Sequence, residues 1–427
     1  MVECILRKQI DDTICQMIYM KKLYLSWNNK NTLRQFIKQM EFCKSSGEKE
    51  VNIIAPNRMR TYPDICAPLS ALIDEYKDRG YKFTFNFPGK NNYVEHTCIS
   101  KPLQVEEMIN SNSSELAFPL DKIWKYNSAE GVGKLVTAYV QAIRTNTVLE
   151  TGVISSVEWC LNEVMDNVLQ HSMSGVGYVM GQMHKEKKRI SICVADSGIG
   201  IYGSLKKSKH CPRNAIDGLT MALQEKVTRD EHVGQGNGLW GLGKIVAENG
   251  GTLEIQSNSA NLFYKEGDTK TKETDEFNIG KYNNLTYVDF QMDYSHQTDI
   301  SKALNGYKPL DMWLEEHEAD DYLYFSLQKD CVGTGTRIAA QKFKNQIFNA
   351  WNEEKKKVVL DFTGINVVSS SFADELIGKI VAERGFIYFS HYFEIRNLSE
   401  FNMSVINRSV EQRMAQKYYD EIITDTD

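Results

Sequence analysis

The stretch ISICVADSGIGI, residues 190–201, constrains the fold most. An apolar strand runs into a carboxylate, Asp196, and then at once into Ser-Gly-Ile-Gly. Gly198 and Gly200 let the backbone turn sharply and approach a ligand with no Cβ in the way. A carboxylate at a strand end can accept a hydrogen bond from an amino group such as adenine N6. A plain Asp-Ser-Gly turn is the simpler reading of the same residues. Apolar strands of this kind alternate with helical patterns along most of the chain, which predicts an α/β fold.

About 30 residues upstream, LNEVMDNVLQHS (161–172) predicts a helix over roughly 155–171. Val157, Cys160, Leu161, Val164, Met165, Val168 and Leu169 make the i, i+3, i+4, i+7 stripe of a core-facing helix. Glu163, Asp166, Asn167 and Gln170 fall on the other side, with His171 beside Asn167. Alone, that is an ordinary solvated face. Downstream, GQGNGLWGLGKIVAENGG (234–251) alternates Gly234, Gly236 and Gly238 before a helix whose apolar side is Leu239, Leu242, Ile245 and Val246. Glycines at a helix start expose N–H groups, and the dipole adds positive potential, which suits phosphate. No Gly-Lys-Ser/Thr follows, so this is not a Walker loop. The preceding TRDEHV is no buried strand, so it is not a Rossmann turn.

The 427 residues predict two or three domains. At 42% hydrophobic and 25% charged residues the balance is that of a soluble globular protein, and a net charge of −6 gives no global basic field for nucleic acid. No window of about 18 apolar residues suggests a membrane span. Asp11 and Asp12 interrupt the apolar N-terminus, which argues against a secretory signal and for the cytoplasm. Nine cysteines without a Cys-x-x-Cys pair read as reduced thiols, mostly buried, and eight scattered histidines show no metal-ligand spacing.

Before the central region, residues 1–45 read mainly as helix, VNIIAP (51–56) as a buried strand, PLSALIDEYKDRGY as a helix ending near Gly80, and KFTFNFP as a strand. LVTAYVQAIRTN, VGYVMGQMHK, TLEIQS and LTYVDFQM supply a helix and three strands, and residues 265–281 read as a flexible polar insertion. After about 300, TRIAAQKFKNQIFNAW reads as a helix, KKVVLDF as a strand, SFADELIGKIVAE as a helix and GFIYFSHY as a strand. This last unit echoes the first, either as one fold used twice or as the generic βαβ repeat. Boundaries fall at 1–115, 116–298 and 299–427.

The order and spacing of the three boxes resemble the GHKL ATPases, the superfamily of gyrase, the large heat-shock chaperone, histidine kinases and MutL. LNEVMDNVLQHS is similar to the N box, DSGIG to the first glycine box and GQGNGL to the second. The resemblance covers roughly 120–295. It implies a Bergerat-type α/β sandwich that binds ATP and Mg²⁺. Glu163 then stands where the family places the general base and Asn167 where it holds Mg²⁺. Asp196 would bind adenine N6, with Gly198 and Gly200 shaping its pocket. Gly234, Gly236 and Gly238, with Leu239 following, would face the phosphates, and 203–233 would form the lid. Asp166 and His171 carry no such role. Lys206, Lys207, Lys209 and Arg213 read as a solvated basic loop that could reach phosphates. The family's late Gly-Thr element has only Thr286 as a counterpart, and no phospho-acceptor histidine precedes the region.

KKVVLDFTGINVVSSSFADELIGKI resembles the STAS-like domains related to anti-sigma antagonists, over about 330–395. That resemblance would make Ser369, Ser370 or Ser371 a phosphorylation site. The residues themselves favour Ser370 or Ser371 as a helix cap, with Asp374 and Glu375 in the first turn. The resemblances together imply a Mg-ATP-dependent regulatory or conformational switch with slow hydrolysis, working with a protein partner or a STAS-type domain, and they allow a homodimer. A serine/threonine kinase of the anti-sigma type and a non-catalytic nucleotide sensor are the alternatives.

Overall fold

A computed structural model of the chain describes residues 22–90, 92–225, 227, 238–273, 285–306 and 311–424. The chain divides into two compact units. The first comprises Met1–Tyr139, Ser156–Tyr294 and Asp299–Tyr307, and the second Val140–Ser155, Ser295–Thr298 and Lys308–Asp427.

The first unit begins with three parallel strands, β1 (Lys22–Tyr24), β2 (Glu50–Ile54) and β3 (Lys82–Asn86), joined by helices α1 (Asn31–Ser46) and α2 (Pro63–Asp78). Residues 22–24 fall in a stretch expected to be helical, and they form a strand because Leu23 pairs with Ile53 on a shared sheet. The rest of that stretch up to 21 lies outside the described residues. Helix α2 is buried almost all round, with Ile65, Cys66, Leu69, Leu72 and Ile73 interleaved with small Ala67, Ser70 and Ala71. A helix apolar on every side needs cover on every side. It finds it between the three-stranded sheet and a larger one, in a single apolar cluster.

The larger sheet has eight strands in the order β10-β9-β8-β11-β7-β6-β5-β4. These are β4 (Leu103–Gln104), β5 (Trp124–Tyr126), β6 (Gly177–His184), β7 (Arg189–Asp196), β8 (Thr252–Ser257), β9 (Ala260–Lys265), β10 (Asp268–Glu273) and β11 (Thr286–Asp293). Only β4 and β5 pair in parallel. Tyr178, Met180, Cys193, Ala195 and Tyr287 face α2. Strand alternation sends Val179, Ile192, Val194, Val288 and Phe290 to the opposite face. Helices α3 (Ala129–Asn146) and α4 (Val153–His171) serve that face: Tyr139 closes over Gly181, and the Tyr126 hydroxyl donates to the Met165 carbonyl at 3.2 Å. Part of the expected flexible insertion is ordered. Strand β10 is exposed along its whole length, so its charged DTKTKE pattern is that of a solvated edge strand, which sequence alone reads as loop. Residues 274–281 of that insertion lie outside the described residues.

Between these strands run the short helices α5 (Gly200–Leu205) and α6 (Ala215–Ala222) and the longer α7 (Gly238–Asn249).

The second unit carries another three-stranded parallel sheet, β12 (Tyr322–Ser326), β13 (Lys357–Asp361) and β14 (Phe393–Arg396), in sequential order. Both ends of the chain thus carry a three-stranded parallel sheet in sequential order, although the IYF stretch on which the echo rests lies in a helix. Helix α8 (Arg337–Glu354) links the first two strands and is capped by Thr336, whose hydroxyl accepts from the Ala339 N–H at 3.1 Å. Helices α9 (Ser370–Ala373) and α10 (Lys379–Arg384) run on through a π turn at Asp374–Gly378. Helix α11 is Phe386–Tyr392 and α12 is Glu400–Thr424. GFIYFSHY is thus mostly helix, not strand, and the strand is the next four residues. Its aromatics suit strands in general, but here they pack at helical spacing: Tyr388 meets Tyr392 at 4.7 Å and Phe389 stacks on Phe393 at 5.1 Å.

The cap of α9 is Ser369, not Ser370 or Ser371. Its hydroxyl accepts from the Phe372 N–H at 3.1 Å. Ser369→Ala should cost about 1 kcal/mol in a denaturant melt of the second unit, and Ser370→Ala close to nothing.

Candidate functional site

Of the expected site residues, Glu163, Asn167, Asp196, Gly200, Gly238 and Leu239 line one cavity of about 560 Å³ in the first unit. Helix α4 forms one wall with Trp159, Glu163, Asp166, Asn167, Gln170 and His171. The loaded polar face is therefore turned into a cavity, because Val157, Cys160, Leu161 and Met165 are buried on the other side. Asp196 ends β7 at the floor, and the start of α7 supplies Gly238, Leu239 and Trp240.

Asp196 is 5% exposed. Its Oδ1 accepts the Gly198 N–H at 2.7 Å, which leaves Oδ2 for a ligand donor. Burial pushes its carboxyl up to about 7, against the opposing pull of that hydrogen bond. Glu163 is also raised, first by desolvation and then by the charge of Asp166. Asp166 is raised by desolvation and held partly down by a hydrogen bond from Gln170.

The glycines divide by role. Gly200 lines the cavity at φ +73, and a Cβ there would overlap the Asn258 side chain. Gly198 sits behind the wall, where a Cβ would lie 2.6 Å from the Ser172 carbonyl carbon. A Cβ on Gly238 would lie 2.6 Å from Glu163 Oε2 and 3.3 Å from Asn167 Nδ2. The start of α7 thus rests directly against the two polar residues singled out on α4. Gly241, one turn on, leaves room for the Trp159 ring. Gly234 and Gly236 lie outside the described residues, as does most of the expected lid beyond 225. Lys206, Lys207, Lys209 and Arg213 are exposed, and no lysine or arginine lines the cavity among the described residues.

Sequence reasoning missed the residues that hold the DSGIG turn. The Ile199 N–H donates to the Ser172 carbonyl at 2.8 Å, and the Ile201 N–H to Ser257 Oγ at 2.8 Å. Ser257 Oγ lies 3.0 Å from Thr286 Oγ1, and Asn258 Nδ2 donates to the Ile199 carbonyl at 3.2 Å. Thr286 pairs directly with Asp196 and lines the cavity. Thr286 is the counterpart that the sequence offers for the late Gly-Thr element, whereas no local pattern announces Ser257 and Asn258. Trp159 and Trp240 were equally silent as single aromatics on apolar helices.

Asn167 offers an amide oxygen next to two carboxylates, which suits a hard cation that keeps most of its water. Among the described residues no group of three or more His, Cys, Asp or Glu could hold a metal without such help. No described helix is long and apolar enough to cross a membrane. The seven described cysteines are free, four of them buried.

Residues 339–402 match a family described as a STAS-like domain of unknown function (DUF4325). The C-terminal segment is a STAS-like domain. No curated protein matches the chain. Among solved structures, the chain is similar to one titled "Crystal structure of ShkA full-length in complex with AMPPNP", at 12% identity and a TM-score of 0.21, covering 67% of this chain. The match spans 56% of the length of that structure's chain. The fold class is therefore a mixed α/β multidomain protein with one large sheet, two small ones and a STAS-like domain at its C-terminal end.

Proposed function

We propose that the chain is a GHKL-type, Mg-ATP-dependent regulatory switch with slow hydrolysis, read out by its STAS-like domain. One observation carries the reading. Glu163 and Asn167 face the first residue of α7 on one side of a cavity whose floor holds a buried strand-end carboxylate, Asp196. Asp196 Oδ2 would accept an adenine amino proton. The N-terminus of α7 would meet phosphate with its N–H groups and dipole. Asn167 would hold Mg²⁺, which neutralises phosphate charge when bound. Glu163, with its proton affinity raised by burial and by Asp166, would take a proton from an attacking water or hydroxyl.

Labelled ATP tests this. The switch predicts slow release of free phosphate by the purified chain, with turnover falling at least about a hundredfold in Glu163→Gln. Unchanged turnover in that variant would remove Glu163 from the base role. Because the described lining offers three carboxylates and no lysine or arginine, chelating Mg²⁺ should weaken ATP binding at least about tenfold. Equal affinity with and without Mg²⁺ would count against Asn167 as a ligand. Ser370 is exposed at the strand–helix junction of the STAS-like domain, which keeps a serine kinase as the second reading. Label on protein that disappears in a Ser369/Ser370/Ser371 triple-alanine variant would favour it.

A further inference from the structure

Helix α8 of the STAS-like domain contains three asparagines, Asn345, Asn349 and Asn352, spaced four and three apart on one face. Asparagine is a poor helix former, because its amide competes for nearby backbone groups. Three in one stripe are a local cost that needs a reason. All three bond to the backbone of the last turn of α3 or of the connector that joins it to α4. Asn345 Nδ2 donates to the Thr145 carbonyl at 3.0 Å. Asn349 Nδ2 donates to the carbonyls of Arg144 at 2.8 Å and Thr147 at 2.9 Å, while its Oδ1 accepts the Leu149 N–H at 2.7 Å. Asn352 Nδ2 donates to the Leu149 carbonyl at 2.8 Å, and its own carbonyl accepts from Thr151 Oγ1 at 2.9 Å. Glu353 Oε1 completes the row by accepting the Gly152 N–H at 2.8 Å.

Side chains that satisfy a connector's backbone fix its path, since leaving those groups unpaired is costly. Asn345 and Asn349 are 7% and 6% exposed. The connector is also fixed from behind. The Thr298 N–H donates to the Thr151 carbonyl at 2.9 Å, and at Gly152, φ +78, a Cβ would overlap the Thr298 carbonyl oxygen. Helix α4 starts at Val153, one residue past this grip, and continues unbroken to His171, carrying Glu163 and Asn167. Thr298 lies shortly after β11, which carries Thr286.

We propose that the asparagine row of α8 regulates the cavity by setting the start of α4, so that the STAS-like domain and the cavity ligand bias one another through that helix. This rests on reading the cavity as a nucleotide site. A change at α8, such as a partner docking on the STAS-like domain, would reset the connector and with it the position of Glu163 and Asn167. By linkage, a ligand held by Asn167 would alter the grip in return.

Hydrogen exchange on the full chain tests it, with Asn349→Ala, which loses three bonds, and Asn345→Ala, which loses one. Without nucleotide, Asn349→Ala should speed exchange at Leu149 and also, at least about tenfold, along 156–171. Faster exchange at 145–152 with 156–171 unchanged would overturn the proposal, because the grip would then be only local. A saturating non-hydrolysable ATP analogue should slow exchange at 145–152 in the wild type, and Asn349→Ala should bind it at least about fivefold more weakly. Analogue binding that leaves 145–152 unchanged would equally overturn it. If the wild type binds no analogue, the nucleotide reading fails by itself, and the exchange along 156–171 still decides the coupling. If Asn349→Ala does not fold, Asn345→Ala is read by the same criteria with a smaller expected change.

Discussion

Replacing Gly198 by alanine should destabilise the first unit by about 2–4 kcal/mol and abolish ligand binding in its cavity. The added Cβ would overlap the Ser172 carbonyl oxygen and come within 2.7 Å of the Ser172 Cβ. Most of what it meets is backbone, which cannot swing aside like a flexible side chain. The turn cannot retreat either. Gly198 is tied to Asp196 Oδ1 at 2.7 Å, and Ile199 to the Ser172 carbonyl at 2.8 Å. Relief therefore requires breaking the hydrogen bonds that aim Asp196. Urea melts and analogue titration of the same preparation measure both effects. Gly243→Ala is the control. Its Cβ would meet Leu223 at an ordinary 3.7 Å, and in a helix interior alanine is favoured by about 1 kcal/mol. Equal stability of the two variants would show that the close approach at Ser172 is not a constraint.

The second large effect concerns Asp196→Asn, which should separate stability from function. The carboxyl is pushed up to about 7 in the folded unit, from an ordinary value of 3.8. The folded state thus binds the proton more tightly than the unfolded chain does. Stability from this group is fully present below pH 3.8 and is lost as the pH rises through 7. The loss above pH 7 is about 4 kcal/mol, taking 1.36 kcal/mol per pH unit. Asparagine keeps an oxygen for the Gly198 N–H and never ionises. The variant should therefore be more stable than the wild type at pH 8 and no more stable near pH 4, as followed by thermal melts across that range. Binding should respond in the opposite sense. A ligand amino group favours the ionised carboxylate, so wild-type affinity for adenine nucleotides should climb with pH up to about 7 and then level off. Asp196→Asn should bind at least about a hundredfold more weakly at pH 8. Retained affinity in the variant would detach Asp196 from ligand recognition.

Much of the cavity could be anticipated from local pattern, because its parts sit at the ends of regular elements. The stripe on α4 places Glu163 and Asn167 together on the face away from the core. A strand that stops at Asp196 must present that residue at the sheet's end, and glycines before an apolar helix must expose its N-terminus. Where local pattern failed, it failed for stated reasons. Aromatics at 386–393 suit a strand or a helix until their neighbours are known. Strand β10 has no apolar face to reveal it, since an edge strand in water needs none. At 369–371 three adjacent serines compete for one cap, and only the backbone path decides that Ser369 takes it.

The chain's own sequence determined its α/β alternation, the amphipathic faces and the tight glycine turns, because these follow from periods of 2 and 3.6 residues and from steric freedom at single positions. Only the tertiary structure decided that the loaded face of α4 looks into a cavity and not into bulk water. It also decided that Thr286 stands beside Asp196, that Ser257 and Asn258 brace the glycine turn, and that the asparagines of α8 hold a connector some 200 residues away in sequence. These pairings depend on strand register and helix docking, which are settled by burial summed over the whole unit, and no short stretch of residues encodes them.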